Sequence, residues 1–299
     1  MARVKSCLAA ATSRREALSA GGLTIAGATG GLASTRRPRI IFGANRNVYL
    51  HFNAAIPLAK AVRVYYDGEN QFPVAWPNRL PGAWMTLSLR PNPHDLLSGR
   101  LDDQLHAIIR SAPAHSELAF WHENIPGNPL DYPSYVNNPV TARRMQRYGQ
   151  WLCRGTQVRF GVIICGPAVQ MPKWIAPHLD WYGFDFYDNW RYHNKDGTLS
   201  KEKMFARMNN NFKVFRAKSG VRWPAIRICE GNSPEDSHRV NWFTYCAQWM
   251  AGHNGRRYMT YWNPDKGAAQ NGLSGPWPPS APVLRRLHLL SEAFRGSAG

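Results

Sequence analysis

Residues 117–129, ELAFWHENIPGNP, begin with a run of mostly apolar and aromatic side chains that ends at His122 and Glu123, where Asn, Pro and Gly break the pattern. A second stretch, PAIRICEGNSPED at 224–236, has the same form and ends its apolar run at Glu230. Short apolar runs bounded by turn residues are typical of strands that are buried on both faces. The two stretches therefore predict buried strands that each end in a glutamate.

Further apolar runs alternate with amphipathic segments along the rest of the chain, and this alternation predicts the fold. The predicted strands lie at 39–45, 61–67, 83–91, 117–123, 158–166, 180–188, 225–231 and 258–264. The predicted helices lie at 99–112, 141–155, 200–220, 237–252 and 281–296. Thr141 is expected to be the N-cap of its helix. Strands that alternate with helices in this way predict an α/β fold, a single (β/α)8 TIM barrel.

An open, doubly wound sheet is the alternative arrangement of these elements. It is disfavoured because the first predicted strand continues into FGANRN, which is not a Gly-rich phosphate-binding loop. In a barrel, functional side chains gather where the strands end and the loops to the helices begin. Glu123 ends the fourth predicted strand and Glu230 ends the seventh, so both are expected at the same end of the barrel.

Residues 1–38 are predicted to be a twin-arginine-type signal peptide with a short linker, and residues 39–299 are predicted to be the barrel domain. The segment has a basic start and an arginine pair, Arg14-Arg15, before a weakly apolar run rich in Gly, Ala, Ser and Thr. A poorly folded tail is the alternative. The apolar run is too short and too rich in Gly to span a membrane. The mature protein is expected to be secreted, with cleavage after Ala28 or Ala33.

Charge and cysteine content limit the possible partners and cofactors. Residues 1–39 account for +6 of the formal net charge of +18, and the remainder for +12. Such a charge attracts anionic polymers, but the basic residues are scattered and no nucleic-acid motif is present, so nucleic acid is not an expected partner. The five cysteines have no zinc-site spacing, and buried free thiols are expected rather than disulfides. No metal or cofactor is predicted.

Two glutamates at one end of a barrel suggest a reaction class. Cleavage of a glycosidic bond needs one carboxyl group that protonates the leaving oxygen and a second that attacks the anomeric carbon or activates water. The ionised carboxylate raises the pKa of its neighbour, so the two groups take different roles. Glu123 and Glu230 are the residues predicted for these roles.

Several motifs resemble those of glycoside hydrolase family 26, the β-mannanase family, within the clan of retaining glycosidases that have Glu after strands four and seven. The resemblance covers residues 40–296. It rests on His-Glu at the end of the fourth predicted strand and on GRLDDQLHAII before that strand, DWYGFDFYDN on the sixth strand and YMTYWN on the eighth.

The resemblance implies roles for five residues. Glu123 would be the general acid/base and Glu230 the nucleophile. His122 would shape the site beside the acid/base, and Tyr187 would hydrogen-bond the nucleophile. Trp262 would form an apolar platform under the reacting sugar ring, since an aromatic face packs well on C–H groups.

The sequence also departs from the family pattern. Where the family has HEMNG, this chain has HENIPG, so Asn124 follows the predicted acid/base as a candidate substrate contact. Arg90 occupies the third predicted strand where the family tends to have His. Arg90 is predicted either to form an ion pair in the barrel or to contact the substrate, where a guanidinium could bind an anionic sugar.

These observations predict a secreted, retaining glycoside hydrolase that cleaves a β-linked polysaccharide of mannan type or a related β-glycan. Its partner would be that polysaccharide or an oligosaccharide, and the chain is expected to be a monomer without a membrane span. One alternative is a carbohydrate-binding barrel at the cell surface with weak or no catalysis. Another is a basic protein that binds anionic polymers.

Overall fold

The structure, a computed structural model, describes residues 40–45, 61–77, 84–122, 138–165, 172–188, 190–231, 233, 236–253, 257–261 and 281–293. The predicted signal peptide and linker at 1–38 lie outside these ranges. No helix within them is both long and apolar enough to cross a membrane.

The described strands form one closed parallel barrel. They are β1 (Ile40–Asn45), β2 (Ala61–Glu69), β3 (Trp84–Arg90), β4 (Ser116–Phe120), β5 (Arg159–Cys165), β6 (Trp181–Asp185), β7 (Ile226–Glu230) and β8 (Arg257–Tyr261). Each strand pairs in parallel with the next one in sequence, and β8 pairs with β1. The predicted single (β/α)8 barrel is confirmed, and the doubly wound alternative is wrong because an open sheet would leave its edge strands unpaired.

The described ranges contain two short 3-10 helices (Pro172–Trp174 and Trp190–Tyr192) and six α-helices: α1 (Pro93–Leu97), α2 (Asp102–Arg110), α3 (Pro139–Leu152), α4 (Lys201–Ser219), α5 (Asp236–Ala251) and α6 (Ala281–Ala293). The predicted N-cap of α3 is wrong. Asn138 caps this helix by accepting hydrogen bonds from the backbone N–H groups of Val140 and Thr141. Pro139 follows the cap, where its missing N–H and fixed φ suit the first turn of a helix. Thr141 therefore lies within the first turn.

The strands β4 and β6 each end three residues earlier than the sequence predicts. β4 ends at Phe120 instead of residue 123, and β6 ends at Asp185 instead of residue 188. After β4 the chain leaves the sheet because Trp121 has a left-handed backbone conformation with φ of 46°. The N–H of Trp121 still donates to the Leu89 carbonyl at 2.9 Å, so the change in direction follows directly after the last β3–β4 hydrogen bond.

Large side chains fill the barrel interior where glycines leave room for them. Trp181 and Cys229 are fully buried in a small cluster with Ala119 and Ile163. A Cβ atom on Gly161 would lie 2.2 Å from the Trp181 ring, and one on Gly183 would lie 2.4 Å from the Cys229 sulfur. The glycines of β5 and β6 are therefore required by the bulk of the neighbouring side chains.

The four cysteines in the described ranges are free thiols, as expected from the sequence: Cys153, Cys165, Cys229 and Cys246. Three of them, Cys153, Cys229 and Cys246, are buried, and this burial raises the pKa of each thiol. Thiols of this kind pack as small apolar groups and react slowly.

The interior also contains a group of charged residues from three strands. Glu117 of β4 accepts two hydrogen bonds from Arg227 of β7, at 2.6 and 3.1 Å, and one from Arg159 of β5 at 2.7 Å. The side chains of Glu117 and Arg227 are 1% and 0% exposed. Barrel interiors are dominated by branched apolar residues, so this group stands out. Each of its charges depends on the others, because an unpaired buried charge is strongly destabilising.

We expect Arg227→Met to lower the free energy of unfolding by about 3–5 kcal/mol, because the loss of one partner leaves Glu117 with a single arginine. The matched control is Arg100→Met. Arg100 pairs with Asp95 at 3.0 Å, but its side chain is 66% exposed, and exposed pairs stabilise little. Urea unfolding of the three proteins measures both effects. If both variants lost the same small amount of unfolding free energy, the result would contradict a structural role for the interior charges.

Candidate active site

Four strands bring predicted site residues to the carboxyl end of the barrel. Arg90 is the last residue of β3 and Glu230 the last residue of β7. His122 follows β4 by two residues, and Tyr187 follows β6 by two residues. Parallel strands in one barrel all point the same way, so these positions share one end. The closed barrel therefore places these four positions at one end, and their roles in a site stay predictions.

The structure describes Glu230 by its backbone, which lies in register with Asp185 of β6. The preceding pair in this register is Phe184 with Ile228, so β7 has one extra residue, Cys229, at this point. Such a bulge bends a strand and changes which residue comes into register, and bulges are frequent next to active sites. The bulge brings Glu230 level with the end of β6.

Asp185, the register partner of Glu230, also belongs to a buried ion pair. Arg63 of β2 donates a hydrogen bond to Asp185 at 2.9 Å, and both side chains are fully buried. The Arg63 guanidinium also lies 4.6 Å from the ring centroid of Tyr65. Sequence reasoning did not identify Arg63 or Tyr65 as parts of the site. The available signal was the charged residue at an inward position of the otherwise apolar strand AVRVYYD.

His122 is buried at the end of β4, where its ring centroid lies 5.1 Å from that of Tyr65. Burial lowers its pKa well below the usual 6.5, and the positive charges of Arg63 and Arg90 lower the pKa further. All three causes act against the protonated imidazolium. His122 is therefore neutral at neutral pH.

Trp121 sets the direction in which the chain continues to His122. Its indole N–H donates to the Pro91 carbonyl at 2.6 Å, and the side chain is buried. A positive φ in a bulky residue costs about 1–3 kcal/mol and persists only where the surroundings enforce it. The hydrogen bond to Pro91 and the surrounding packing provide that support.

Arg90 lies at the same end of the barrel and is partly buried. Its guanidinium carbon is 5.7 Å from the centroid of the Trp121 ring, and its charge acts on His122. This position agrees with both predicted roles of Arg90, an interaction within the barrel and a contact with the substrate.

The other predicted residues are described in part or lie outside the described ranges. Tyr187 is partly buried between two buried neighbours, Phe186 and Asp188. Glu123, Asn124 and Trp262 lie outside the described residues, so their roles stay predictions.

No protein-family model matches this chain, and no curated protein is significantly similar to it. Several solved structures have a similar fold. A broad-specificity endoglucanase of glycoside hydrolase family 5 from Clostridium longisporum is 11% identical, with a TM-score of 0.54 over 82% of this chain and 86% of that chain. A family 5 xyloglucan-specific endo-β-1,4-glucanase from a metagenomic library, solved with cellotriose, is 12% identical. Its TM-score is 0.53 over 80% of this chain and 86% of that chain.

A structure of fungal β-1,4-galactanases is also similar, at 11% identity, with a TM-score of 0.52 over 83% of this chain and 93% of that chain. At such low identity these similarities show the fold, the (β/α)8 barrel found in these glycosidases. They do not distinguish one glycosidase family from another, so the closer resemblance to the β-mannanase family stays a prediction.

The lowered pKa of His122 predicts a specific acid sensitivity. Above pH 6.5 the imidazole is neutral in both the folded and the unfolded state and does not affect the pH dependence. Below pH 6.5 the unfolded state binds a proton that the folded state excludes, so the wild type loses stability by up to about 1.4 kcal/mol per pH unit from this residue. His122→Gln should remove this contribution to the pH dependence of the unfolding free energy.

Urea unfolding between about pH 7.5 and pH 5.5 measures the two slopes. His94→Gln is the control, since the His94 side chain is 76% exposed, and its slope should match that of the wild type. A His122→Gln slope equal to the wild-type slope would show that His122 is not excluded from protonation.

Proposed function

We propose that the protein is a retaining glycoside hydrolase that cleaves a β-linked polysaccharide with two glutamates. The observation that carries this proposal is the position of Glu230, the last residue of β7 and level with Asp185 at the carboxyl end of a closed barrel. At the same end, β4 is followed within two residues by His122, and Glu123 is the next residue in sequence.

In the first step Glu230 attacks the anomeric carbon while Glu123 protonates the departing glycosidic oxygen. The C–O bond to the leaving group breaks, and a covalent glycosyl-enzyme ester forms on Glu230. In the second step Glu123, now a carboxylate, removes a proton from water, and the resulting oxygen nucleophile displaces Glu230. Two inversions at one carbon give net retention.

The charges around the site support this division of roles. Glu123 must be protonated at the start, and an adjacent cation would lower its pKa by favouring the carboxylate. His122 is its sequence neighbour, and the imidazole is kept neutral by burial and by Arg63 and Arg90. The neutral His122 therefore adds no positive charge at the position next to Glu123 in the sequence.

Two features support the proposed substrate class. The similar solved structures are described as acting on glucans, xyloglucan and galactans, all β-linked polysaccharides. Within this class, the family 26 resemblance favours a mannan-type glycan. Arg90 at the barrel mouth offers several N–H donors, which suit sugar hydroxyls and, in bidentate form, a sugar carboxylate. Substrates to be tested are therefore mannan, mixed-linkage glucan, xylan, chitosan and an acidic glycan.

We expect the wild type to release reducing ends from one of these polysaccharides. Glu230→Gln should lower kcat by about 10³-fold or more, and Glu123→Gln by about 10²–10⁴-fold. The matched control is Glu69→Gln, because Glu69 also ends a strand, β2, at the same end of the barrel, but is exposed. Glu69→Gln should keep wild-type activity.

Two further readouts separate the competing outcomes. The first-formed product should have the substrate's anomeric configuration by NMR, and a 2-fluoro glycoside should label Glu230 in peptide mapping. An inverted product would contradict the nucleophilic role. Folded wild type that binds the glycans without release would favour the carbohydrate-binding alternative. Equal release by Glu230→Gln and wild type would place the chemistry on another residue.

We also propose that the mature domain is exported through the twin-arginine route. Arg14→Lys with Arg15→Lys should leave the precursor unprocessed in the cytoplasm of a host with that translocase, because the pathway recognises the arginine pair. The control is Arg36→Lys with Arg37→Lys, a second pair that follows both predicted cleavage positions. Immunoblots of cell fractions measure processing, and unchanged export of the first variant would contradict the proposal.

A further inference from the structure

A group of polar residues that the proposed reaction does not use lies beside the end of β6. The side chain of Asp188 is 2% exposed, and its Oδ1 atom lies 2.8 Å from Nε2 of His193. Its other oxygen, Oδ2, is 3.4 Å from Nδ1 of His238 and accepts a hydrogen bond from Ser233 at 2.8 Å. The two imidazole rings meet edge to face, with centroids 4.8 Å apart. We call these four residues the Asp188 cluster.

We propose that Asp188, His193 and His238 bind one divalent transition-metal ion, with Zn²⁺ as the best match. One ligand atom from each residue lies within 4.8 Å of the other two. Zinc bonds of about 2.0–2.1 Å keep the ligands of a tetrahedral ion roughly 3.4 Å apart. Entry of the ion therefore requires His193 and Asp188 to separate by roughly 0.6 Å, which side-chain rotation can supply.

The ligand types select among the metals. Two imidazole nitrogens and one carboxylate oxygen suit zinc and its first-row neighbours, whereas magnesium and calcium prefer oxygen ligands. Three protein ligands also leave the fourth tetrahedral position for water. His193 and His238 are 23% and 16% exposed, which gives the ion a route in from solvent.

The surroundings of Asp188 fix the orientation of its carboxylate. Ser233, which follows β7, donates to Oδ2 and is fully buried. A hydrogen bond from a residue that does not itself bind the metal orients the metal-binding carboxylate and strengthens metal binding. The alternative is a metal-free network in which Asp188 is hydrogen-bonded to His193 and Ser233, with His238 at 3.4 Å. The two possibilities differ in whether added metal binds.

The ion would have a structural role. Asp188 lies just beyond β6, His193 lies in the connection to α4, and His238 lies in the first turn of α5. A bound ion would therefore fasten the β6–α4 connection to the start of α5. This inference does not rest on the proposed hydrolase activity, because metal binding is measured without any substrate.

The experiment uses the full chain after dialysis against a chelator. Titration calorimetry with ZnCl₂ should show one ion per chain, and Zn²⁺ should raise the thermal unfolding midpoint. His193→Gln and His238→Gln should each weaken zinc binding by at least about 100-fold. Even the loss of a residue that only hydrogen-bonds a metal ligand lowers metal affinity by roughly 10–100-fold. His94→Gln, an exposed histidine outside the cluster, should bind as the wild type does.

A second measurement does not depend on the folding of variants. X-ray absorption of the wild-type zinc complex should show nitrogen and oxygen ligands with imidazole scattering. Sulfur ligands would place the ion on the cysteines and overturn the proposal. No zinc uptake by the wild type, or unchanged affinity in folded His193→Gln and His238→Gln, would also overturn it and support the metal-free network.

Discussion

The buried ion pair between Arg63 and Asp185 holds the carboxyl end of the barrel together. It joins β2 to β6, which lie on opposite sides of the closed barrel. Desolvation of two charges is costly, and good geometry offsets that cost only while both partners are present. Loss of either residue would remove an ion-pair partner from a buried charge at or near the register pair of Asp185 and Glu230. The end of β6 that pairs with Glu230 therefore depends on a residue from the opposite side of the barrel.

The same arginine also affects the protonation of His122. Burial lowers the pKa of this imidazole most, and the charges of Arg63 and Arg90, on two different strands, lower it further, so the ring stays neutral. A neutral ring can occupy this position next to two arginines without adding a third positive charge. The strained backbone at Trp121 then directs the chain from β4 to His122, with the indole N–H bound to the Pro91 carbonyl. Electrostatics and backbone geometry thus act on two neighbouring residues, His122 and Trp121.

The sequence predicted the elements of the fold well because the strands are buried on both faces and form compact apolar runs. It predicted the strand ends less well. The hydrophobic pattern continues through Trp121 and His122, but the left-handed conformation of Trp121 ends β4 at Phe120. At α3, the combination of Asn138 as a cap and Pro139 after it overrides the weaker signal from Thr141. Local conformations of this kind are not visible in periodicity.

The side-chain networks could not be predicted because their members are far apart in sequence. Arg63 and Asp185 are separated by 122 positions, and Glu117 and Arg227 by 110. The sequence does mark each of them as a charged residue in an apolar strand, but it does not identify the partner. The Asp188 cluster is similar, since its histidines follow no spacing rule for metal sites. Only the closed barrel brings these residues together.

β6 and its extension link these networks to each other. Asp185 binds Arg63 through its side chain, while its backbone lies in register with Glu230. Three residues later, Asp188 accepts a hydrogen bond from Ser233, which lies just beyond β7. The ends of β6 and β7 are therefore joined twice, by the backbone pair and by this side-chain bond. Because Tyr187 lies between these two attachments, the backbone is held on both sides of it, and the proposed role of Tyr187 in orienting Glu230 requires such a fixed position.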